Sequence, residues 1–178
     1  MRAESRFRLC PLRAEDGAAV ARLFDASTDY FEVVLGRRPR SGDAQALYTD
    51  GPEDGRPPDG KMLFGIRLPD DEALVGVLDV FAHYPEPGTW YIGLVLLDPT
   101  ARTRGLGRAV VESFARDARS HGASELQINV VEQNSAALSF WTRLGFTEMR
   151  RWRQHYGERE STFIRMRRQL EPRPGQIE

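Results

Sequence analysis

The sequence predicts an α/β fold, because strand-like apolar runs alternate with helical segments through its second half. The run 92–97 has the length and composition of a β-strand, and Asp98-Pro99 ends it. From Leu106 onwards, apolar residues recur at the spacing of an amphipathic helix. A second strand-like run, 126–131, then precedes a second helical pattern over 134–144. Strand, turn, helix, strand and helix therefore follow one another in the way typical of an α/β protein.

Length and composition indicate a single globular domain. The chain has 178 residues, of which 40% are hydrophobic and 29% are charged, which is enough for one core. We expect the domain to cover residues 1–170. Residues 171–178 contain two prolines and a glycine and are expected to form a flexible tail.

Charge and targeting patterns favour a cytoplasmic protein without nucleic-acid or membrane partners. The net charge is −1, so no strong field attracts nucleic acids or anionic lipids. The apolar runs are too short to span a bilayer, and the N-terminal residues lack the apolar core of a signal peptide. The lone cysteine, Cys10, fits a reducing compartment.

The chain before the central strand is predicted to contain short strands and helices. Pro11 makes the first strand an edge strand, because proline cannot donate to a ladder. Residues 37–60 are interrupted by proline and glycine, and we expect a partly ordered connection on the substrate side. The predicted elements are a strand over 7–13, helices over 16–27, 29–36 and 43–48, and strands over 61–68 and 74–81 around an acidic turn at 69–72.

The last two strands are predicted to form a hairpin that carries two arginine clusters. The strands cover 146–155 and 161–170 and turn at Gly157-Glu158. The arginine clusters lie at 150–153 and 165–168. Alternation along the strands predicts an exposed, solvated face for these arginines, which we prefer to a nucleic-acid site.

The segment that joins the central strand to the next helix has the features of a phosphate site. It reads Arg102-Thr-Arg-Gly105-Leu-Gly107-Arg108. Glycine permits backbone torsions and close approaches that a Cβ would block. The first amides of a helix lack intrahelical partners and lie at the positive end of its dipole, and the arginines add full charges. We therefore expect a phosphate or pyrophosphate ligand here.

Three phosphate-binding motifs compete for this segment. A P-loop requires Gly-Lys-Ser/Thr, whereas Arg108-Ala109 follow the last glycine here. A dinucleotide-binding fingerprint requires a third glycine, and Val110 stands in its place. The remaining motif is Arg-x-x-Gly-x-Gly directly after a strand.

A second motif lies downstream and reads Asn134-x-x-Ala137-x-x-Phe140-Trp141-x-x-x-Gly145-Phe146. In this order and spacing the two motifs resemble those of the GNAT superfamily of N-acetyltransferases, the first being its acetyl-CoA signature. The resemblance covers most of the chain. It implies a mixed, mostly antiparallel central sheet of six to seven strands, flanked by about four helices, with splayed central strands.

The resemblance also implies acetyl-CoA as cosubstrate and no metal. The pantetheine arm would complete the ladder between the splayed strands, because unpaired strand groups need partners. Asn134 would bind the pantetheine, cap the following helix, or do both. The residues expected to bind the cofactor are Val95, Leu96, Leu97, Arg102, Thr103, Arg104, Gly105, Leu106, Gly107, Arg108, Asn134 and Trp141.

The implied reaction is transfer of an acetyl group from acetyl-CoA to a primary amine of a small molecule or a peptide. The amine would attack the thioester directly in a ternary complex. An alkylammonium has a pKa near 10 and must lose a proton before it attacks. A base accepts that proton, and an acid protonates the departing thiolate.

The chain departs from its family at the positions of both the acid and the base. Trp141 replaces the usual tyrosine acid, and an indole N–H is not a usable acid at neutral pH. Tyr91 and Asn129 stand where different relatives have a glutamate base. The catalytic candidates are therefore Asp79, Tyr91 and Tyr156, and the candidate substrate-binding residues are Asp29, Tyr30, Glu32 and Asn129.

Two other functions stay open. The missing family acid and base favour a CoA-binding sensor or regulatory module with little turnover. An unrelated nucleotide-phosphate binder would instead take ATP or NAD without competition from CoA. The acceptor amine is not identified by the sequence, and a homodimer, common in the family, is a further expectation.

Overall fold

The computed structural model describes residues 6–51, 60–69 and 71–171, apart from the side chains of Asp71, Thr103 and Arg104. Within these residues, seven strands form one sheet and five α-helices pack on it. The strands are β1 (Arg8–Pro11), β2 (Lys61–Leu68), β3 (Asp71–Phe81), β4 (Thr89–Leu97), β5 (Glu125–Val131), β6 (Thr147–Tyr156) and β7 (Arg159–Gln169). The helices are α1 (Gly17–Ala26), α2 (Thr28–Leu35), α3 (Asp43–Thr49), α4 (Leu106–Ser120) and α5 (Ser135–Arg143).

The strand order of the sheet is β1-β2-β3-β4-β5-β7-β6. All neighbouring strands are antiparallel except β4 and β5, which are parallel. Parallel neighbours need a crossover connection, and α4 provides it. This mixed, mostly antiparallel sheet confirms the predicted fold class, and five helices are described where about four were expected.

Helices cover both faces of the sheet. Side chains alternate between the two faces along each strand, so each face presents apolar side chains on which helices can pack. The apolar stripe predicted for α4 is buried against one face, in a cluster with Ile92 and Leu126. On the opposite face, Val20 and Phe31 of the first two helices pack with Val77 of β3. In the described part of the chain, no helix has the length and apolar character to cross a membrane.

The structure differs from the sequence prediction mainly at strand ends. β3 begins at Asp71 and not at residue 74, so the acidic turn is shorter than predicted. The reason is that backbone pairing with β2 continues to Leu68 opposite Asp71 and does not require apolar side chains. The predicted connection 37–60 contains α3, and its residues 52–59 lie outside the described part, as does most of the predicted tail.

Candidate active site

The main feature of the site is a cleft between the two parallel strands. β4 and β5 pair from Thr89 opposite Glu125 to Ile92 opposite Ile128, where their pairing ends. Both strands continue beyond this point, so backbone groups from Gly93 onwards face a gap. The splay implied by the family resemblance is therefore present, and it encloses a cleft of about 130 Å³.

A β-bulge at Gly93 bends β4 at the point where the cleft opens. Asp79 of β3 lies opposite Leu94 and Val80 opposite Ile92, so Gly93 is the extra residue. A Cβ at Gly93 would lie 2.9 Å from Oδ2 of Asp79 and 3.1 Å from the ring of Phe81. Glycine therefore allows the Asp79 carboxylate to lie directly against the central strand.

The predicted phosphate turn lies at one end of this cleft. Asp98 accepts a hydrogen bond from the Thr100 amide at 2.9 Å and so begins the turn that follows β4. Gly105 has a φ of +70°, and α4 begins at the next residue. A Cβ at Gly105 would meet no atom within 4 Å, whereas one at Gly107 would lie 3.4 Å from the Phe140 ring. The first turn of α4 thus starts beside open space and packs closely on α5.

A cavity of about 670 Å³ lies between this turn, β4 and α5. Leu106 was also predicted to bind the cofactor, but its side chain is buried in the core, which leaves only its backbone for a ligand. Thr103 and Arg104 lie in the turn, and their side chains are outside the described part. Nine predicted cofactor residues line the cavity, namely Val95, Leu96, Leu97, Arg102, Gly105, Gly107, Arg108, Asn134 and Trp141.

Several cavity residues were not predicted from sequence. Arg143 is the most important of them, because it adds a positive charge from the last turn of α5. Its position inside the second motif was the available signal, since that motif already indicated a helix beside the cofactor. The others are Val33, Gln133, Ser135, Ala136, Ala137 and Phe140.

Arg102 is held by groups of the protein itself. Its Nε donates to the Leu97 carbonyl at 2.9 Å, and its Nη2 lies 3.2 Å from Oδ1 of Asp29. The hydrogen bond from Arg102 lowers the pKa of the Asp29 carboxyl. Asp29 was predicted to bind the acceptor, but it lines the large cavity beside the phosphate turn. Its position therefore suits orientation of Arg102 better than recognition of an amine.

Asn134 and Trp141 line both the cleft and the large cavity. The Asn134 side chain accepts a hydrogen bond from the Ala137 amide at 3.1 Å, which is the N-cap role considered from the sequence. Trp141 is buried, and its ring packs against Phe140 and Phe146 with centroids 5.0 Å apart in each case. This packing fits a wall of the cleft.

A third cavity, of about 360 Å³, lies on the other side of Gly93. Asp79 lines it and is only 7% exposed. Nζ of Lys61 donates to Asp79 Oδ2 at 3.1 Å and forms an ion pair with Oδ1 at 3.0 Å, so it contacts both carboxylate oxygens. Burial raises the pKa of Asp79, against the attraction of Lys61. Lys61 was not predicted as a site residue, because only the register of β2 on β3 brings it to Asp79.

Three tyrosines join the cleft to this third cavity. Tyr30, Tyr91 and Tyr156 line both spaces. Tyr91 is 5% exposed, whereas Tyr156 is 41% exposed and lies at the end of β6. Burial raises the pKa of Tyr30 well above its ordinary value. Glu32, the remaining acidic candidate, is half exposed and pairs with Arg38 at 3.5 Å, on the outer surface of α2.

Asn129 is bonded to a buried arginine. Its Oδ1 accepts from Nε of Arg165 at 2.9 Å, and the guanidinium lies 5.5 Å from the centre of the Tyr91 ring. Arg165 is 8% exposed, so the predicted solvated face was wrong for this residue. The reason is that alternation assigns a face, but aromatic neighbours such as Trp152 cover this part of it.

Comparison with known proteins identifies the family. The sequence profile of the Acetyltransferase (GNAT) family matches residues 20–146, which is more than half of the chain. The chain belongs to the GNAT acetyltransferase family.

Two curated GNAT relatives match parts of the chain. A mycothiol acetyltransferase of Corynebacterium glutamicum (strain R) is 36% identical over 89 residues, which is 50% of this chain and 29% of the relative. The [ribosomal protein bS18]-alanine N-acetyltransferase of Escherichia coli (strain K12) is 32% identical over 62 residues, or 35% of this chain and 42% of the relative. The matches thus span less than half the length of either relative.

Solved structures agree over almost the whole chain. An acetyltransferase from Thermus thermophilus has a TM-score of 0.74 and 26% identity, covering 92% of this chain and 97% of its own. Salmonella typhimurium yncA, solved with its cofactor acetyl-CoA, has a TM-score of 0.65 and 17% identity, covering 97% of this chain and 98% of its own. At this identity the second likeness concerns the fold alone.

The cleft, the large cavity and the third cavity share lining residues. The large cavity shares Tyr30, Val95 and Trp141 with the cleft, and the cleft shares Gly93 and Leu94 with the third cavity. The three spaces therefore adjoin one another from the predicted phosphate turn, past the splayed strand, to the buried Asp79.

Proposed function

We propose that this GNAT protein transfers the acetyl group of acetyl-CoA to a primary amine of a small molecule or a peptide, by direct attack in a ternary complex. One observation carries the proposal. The pairing of β4 with β5 ends at Ile92 and Ile128, and the resulting gap shares lining residues with a cavity at a helix N-terminus and with a cavity that holds a buried carboxylate. Acetyl-CoA is long, with phosphates at one end and the thioester at the other, which matches this arrangement.

The residues present fit the pyrophosphate and the pantetheine arm of acetyl-CoA. The first amides of α4, together with Arg108 and Arg143, suit the pyrophosphate, because orphan helix amides and arginines both favour anions. The backbone of Val95, Leu96 and Leu97 lies at the edge that β5 leaves, so a pantetheine amide could pair with it. Bound there, acetyl-CoA supplies an activated acetyl group at the end of the cleft.

Asp79 is the proposed base. It is buried with Lys61 as an ionic partner, and burial raises its pKa, which strengthens it as a proton acceptor. Lys61, at 3.0 Å, opposes this rise in the pKa, because its positive charge favours the carboxylate. A substrate ammonium in the third cavity would give its proton to Asp79 and then attack as the neutral amine.

The proposed acid for the departing thiolate is Tyr91 or Tyr156, because both line the cleft and the third cavity, which is the proposed acceptor cavity. Trp141 occupies the position where the family usually has a tyrosine, and it is more suited to form the wall of the cleft. Tyr30 and Asn129 are proposed to contact the acceptor from α2 and β5.

The alternative function is a CoA-binding sensor with little turnover, and Trp141 is the observation that favours it. Efficient acetyl transfer to any amine would exclude this alternative. Tight CoA binding without turnover across a broad panel of amines would support it.

The first experiment is a thermal-shift assay with acetyl-CoA, CoA, ATP and NAD side by side. A ligand that binds only the folded state should add about 2.7 kcal/mol at 100 times its dissociation constant. We expect stabilisation by acetyl-CoA and CoA alone, followed by release of free thiol with an acceptor amine. A response to ATP or NAD without one to CoA would refute the proposed function.

A further inference from the structure

Lys61 is an amine held inside the proposed acceptor cavity. The chain has 25 Lys and Arg residues, and all but Lys61 are arginine. Lys61 lines the third cavity, and its side chain is only 10% exposed. A lysine amine becomes a nucleophile when it loses a proton, whereas a guanidinium does not lose its charge in proteins. The one side chain of this kind therefore lies where an amine acceptor is expected.

The groups around Nζ are those that would bind the ammonium of an acceptor. Nζ lies 3.0 Å from Oδ1 and 3.1 Å from Oδ2 of Asp79. It donates to the Asp50 carbonyl at 2.9 Å and lies 4.7 Å from the centre of the Phe81 ring. A carboxylate, a carbonyl and an aromatic face together form a cation site. In this structure the lysine of the chain itself occupies that site.

The Asp79 carboxylate links Nζ to a residue of the cleft, because Nζ lies 3.1 Å from Oδ2. Oδ2 of Asp79 is 2.9 Å from the point where a Cβ of Gly93 would be, and Gly93 lines both the cleft and the third cavity. The lysine stem is flexible and has four carbons, so rotation about its bonds can move Nζ past the carboxylate. An attacking atom must come within about 3–3.5 Å of the acetyl carbonyl carbon.

We propose that Lys61 is an internal acceptor, so that the chain acetylates its own Lys61 in the acceptor cavity. The inference rests on the proposed function, because it requires acetyl-CoA in the cleft. Lys61 gives one ammonium proton to Asp79, and the neutral Nζ then forms a bond to the acetyl carbon as the carbon–sulfur bond breaks. A second proton leaves Nζ as the sulfur is protonated. The products are N-acetyl-Lys61, free CoA and one proton, which Asp79 returns to solvent.

The two kinds of primary amine in the chain make the test specific. A chain made to this sequence has one other primary amine, the α-amine of Met1, and its ordinary pKa of about 7.7–8.0 makes it the more reactive amine in solution. The chain is incubated with acetyl-CoA, and acetylation is located by intact mass and peptide mapping. We expect label at Lys61 to exceed label at Met1 by roughly 10²-fold, the lower end of what a positioned base contributes.

The order of the reaction separates internal from intermolecular transfer. The fraction of Lys61 labelled per minute should not change when the protein concentration is varied tenfold, because donor and acceptor share one chain. Gly105→Glu, which should not hold CoA, should lose the label, and Lys61→Arg should show no label beyond Met1. Labelling that favours Met1, that grows with protein concentration, or that survives in Gly105→Glu would overturn the proposal.

A measurement without turnover tests the same placement. Protein labelled with ¹⁵N-lysine has a single side-chain amine signal, because Lys61 is the only lysine. Saturating CoA should shift this signal in the native chain and leave it in place in Gly105→Glu. An unmoved signal, with CoA binding shown by thermal shift, would refute the internal acceptor and leave the proposed function intact. Absence of any CoA binding would instead refute the proposed function itself.

Discussion

Asp79 is a buried carboxylate that is paired with a lysine. It is buried beside an aromatic ring, and burial raises its pKa, yet Lys61 lies close enough to stabilise its charge. An acid inside a predicted strand was visible in the sequence. Its depth, and the identity of its partner, depend on how β2 and β3 are paired, which sets Lys61 opposite Phe81 and Leu63 opposite Asp79.

Asp79→Asn should slow acetyl transfer by about 10²–10⁴-fold, the contribution of a positioned base. The dissociation constant of CoA should stay the same, because Asp79 lines the third cavity and not the large cavity beside the predicted phosphate turn. The two values are measured by free-thiol release and by calorimetry. Removal of one partner of a buried ion pair costs about 3–5 kcal/mol, so Asp79→Asn combined with Lys61→Met serves as the variant without an unpaired charge.

The pH dependence of transfer provides a second readout for Asp79. A base must be ionised, and burial raises the pKa of this carboxyl. On lowering the pH, the rate in the native chain should therefore start to fall at a pH above the ordinary aspartate value of about 3.9. This fall in rate at low pH should be missing from the residual activity of the variant that combines Asp79→Asn with Lys61→Met. If the rate of this variant fell at the same pH as that of the native chain, the fall would belong to another titrating group.

Gly105→Glu should weaken CoA binding by at least about 10²-fold, because a like charge beside the phosphates costs several kcal/mol. Gly105→Gln is the matched control. Both side chains enter a position with a φ of +70°, so both incur the same left-handed backbone cost of about 1–2 kcal/mol. No atom lies within 4 Å of the new Cβ, so neither variant meets a steric clash there. Equal CoA affinity in the two folded variants would contradict the phosphate-turn assignment.

At the scale of elements, the bulge in β4 links sheet geometry to the site. One extra residue at Gly93 bends the strand where it separates from β5 and makes room for the Asp79 carboxylate. Position 93 requires glycine because the Asp79 side chain approaches its backbone closely, and not because its φ angle is unusual. The sequence marked Gly93 only as part of the central strand, because the approach is made by side chains of another strand.

Gly93→Ala should lower the free energy of unfolding by about 1–3 kcal/mol, the usual cost of overpacking, because its Cβ would lie 2.9 Å from Asp79 Oδ2. Gly17→Ala is the control, since a Cβ there meets nothing within 4 Å and the backbone is helical. That control should be neutral or stabilising by up to about 1 kcal/mol. Denaturant titration of both variants checks the contrast, and equal stabilities would argue against close packing at the bulge.

The hairpin of β6 and β7 shows the limit of periodicity as a predictor. Alternation correctly separates Arg165 from Arg168, which point to opposite faces. Alternation alone does not predict which of the two faces is covered by neighbouring side chains. Arg165 is buried under Tyr91 and Trp152, while Arg168 pairs with Glu112 of α4 at 2.9 Å.

At the scale of the whole molecule, one core joins both ends of the described chain. Phe7 and Ile66 belong to the same buried cluster as Ile164 and Met166, and the sheet between them is continuous. The site is made from elements across this sheet, with α2, β3, β4, β5 and β6 each contributing a lining residue. Folding of the domain and formation of the cleft should therefore be one event.

We expect unfolding in a single cooperative transition. Trp90 packs on Phe114 of α4, Trp141 lines the cleft, and Trp152 stacks on Phe163 of the terminal hairpin, so their fluorescence reports on three regions. Denaturation curves from tryptophan fluorescence and from far-UV circular dichroism should coincide, as a two-state domain requires. Two separate midpoints would refute a single domain over residues 1–170.

The sequence by itself determined the alternation of strands and helices, the glycine turn before α4 and the two family motifs. These features are local, because a helical or strand period and a glycine turn are encoded by residues close together in the chain. Only the tertiary structure decided that Lys61 pairs with Asp79, that Asp29 holds Arg102 and that Arg165 is buried. Each of these contacts joins residues on different elements, and strand register and helix packing, which no local pattern specifies, bring them together.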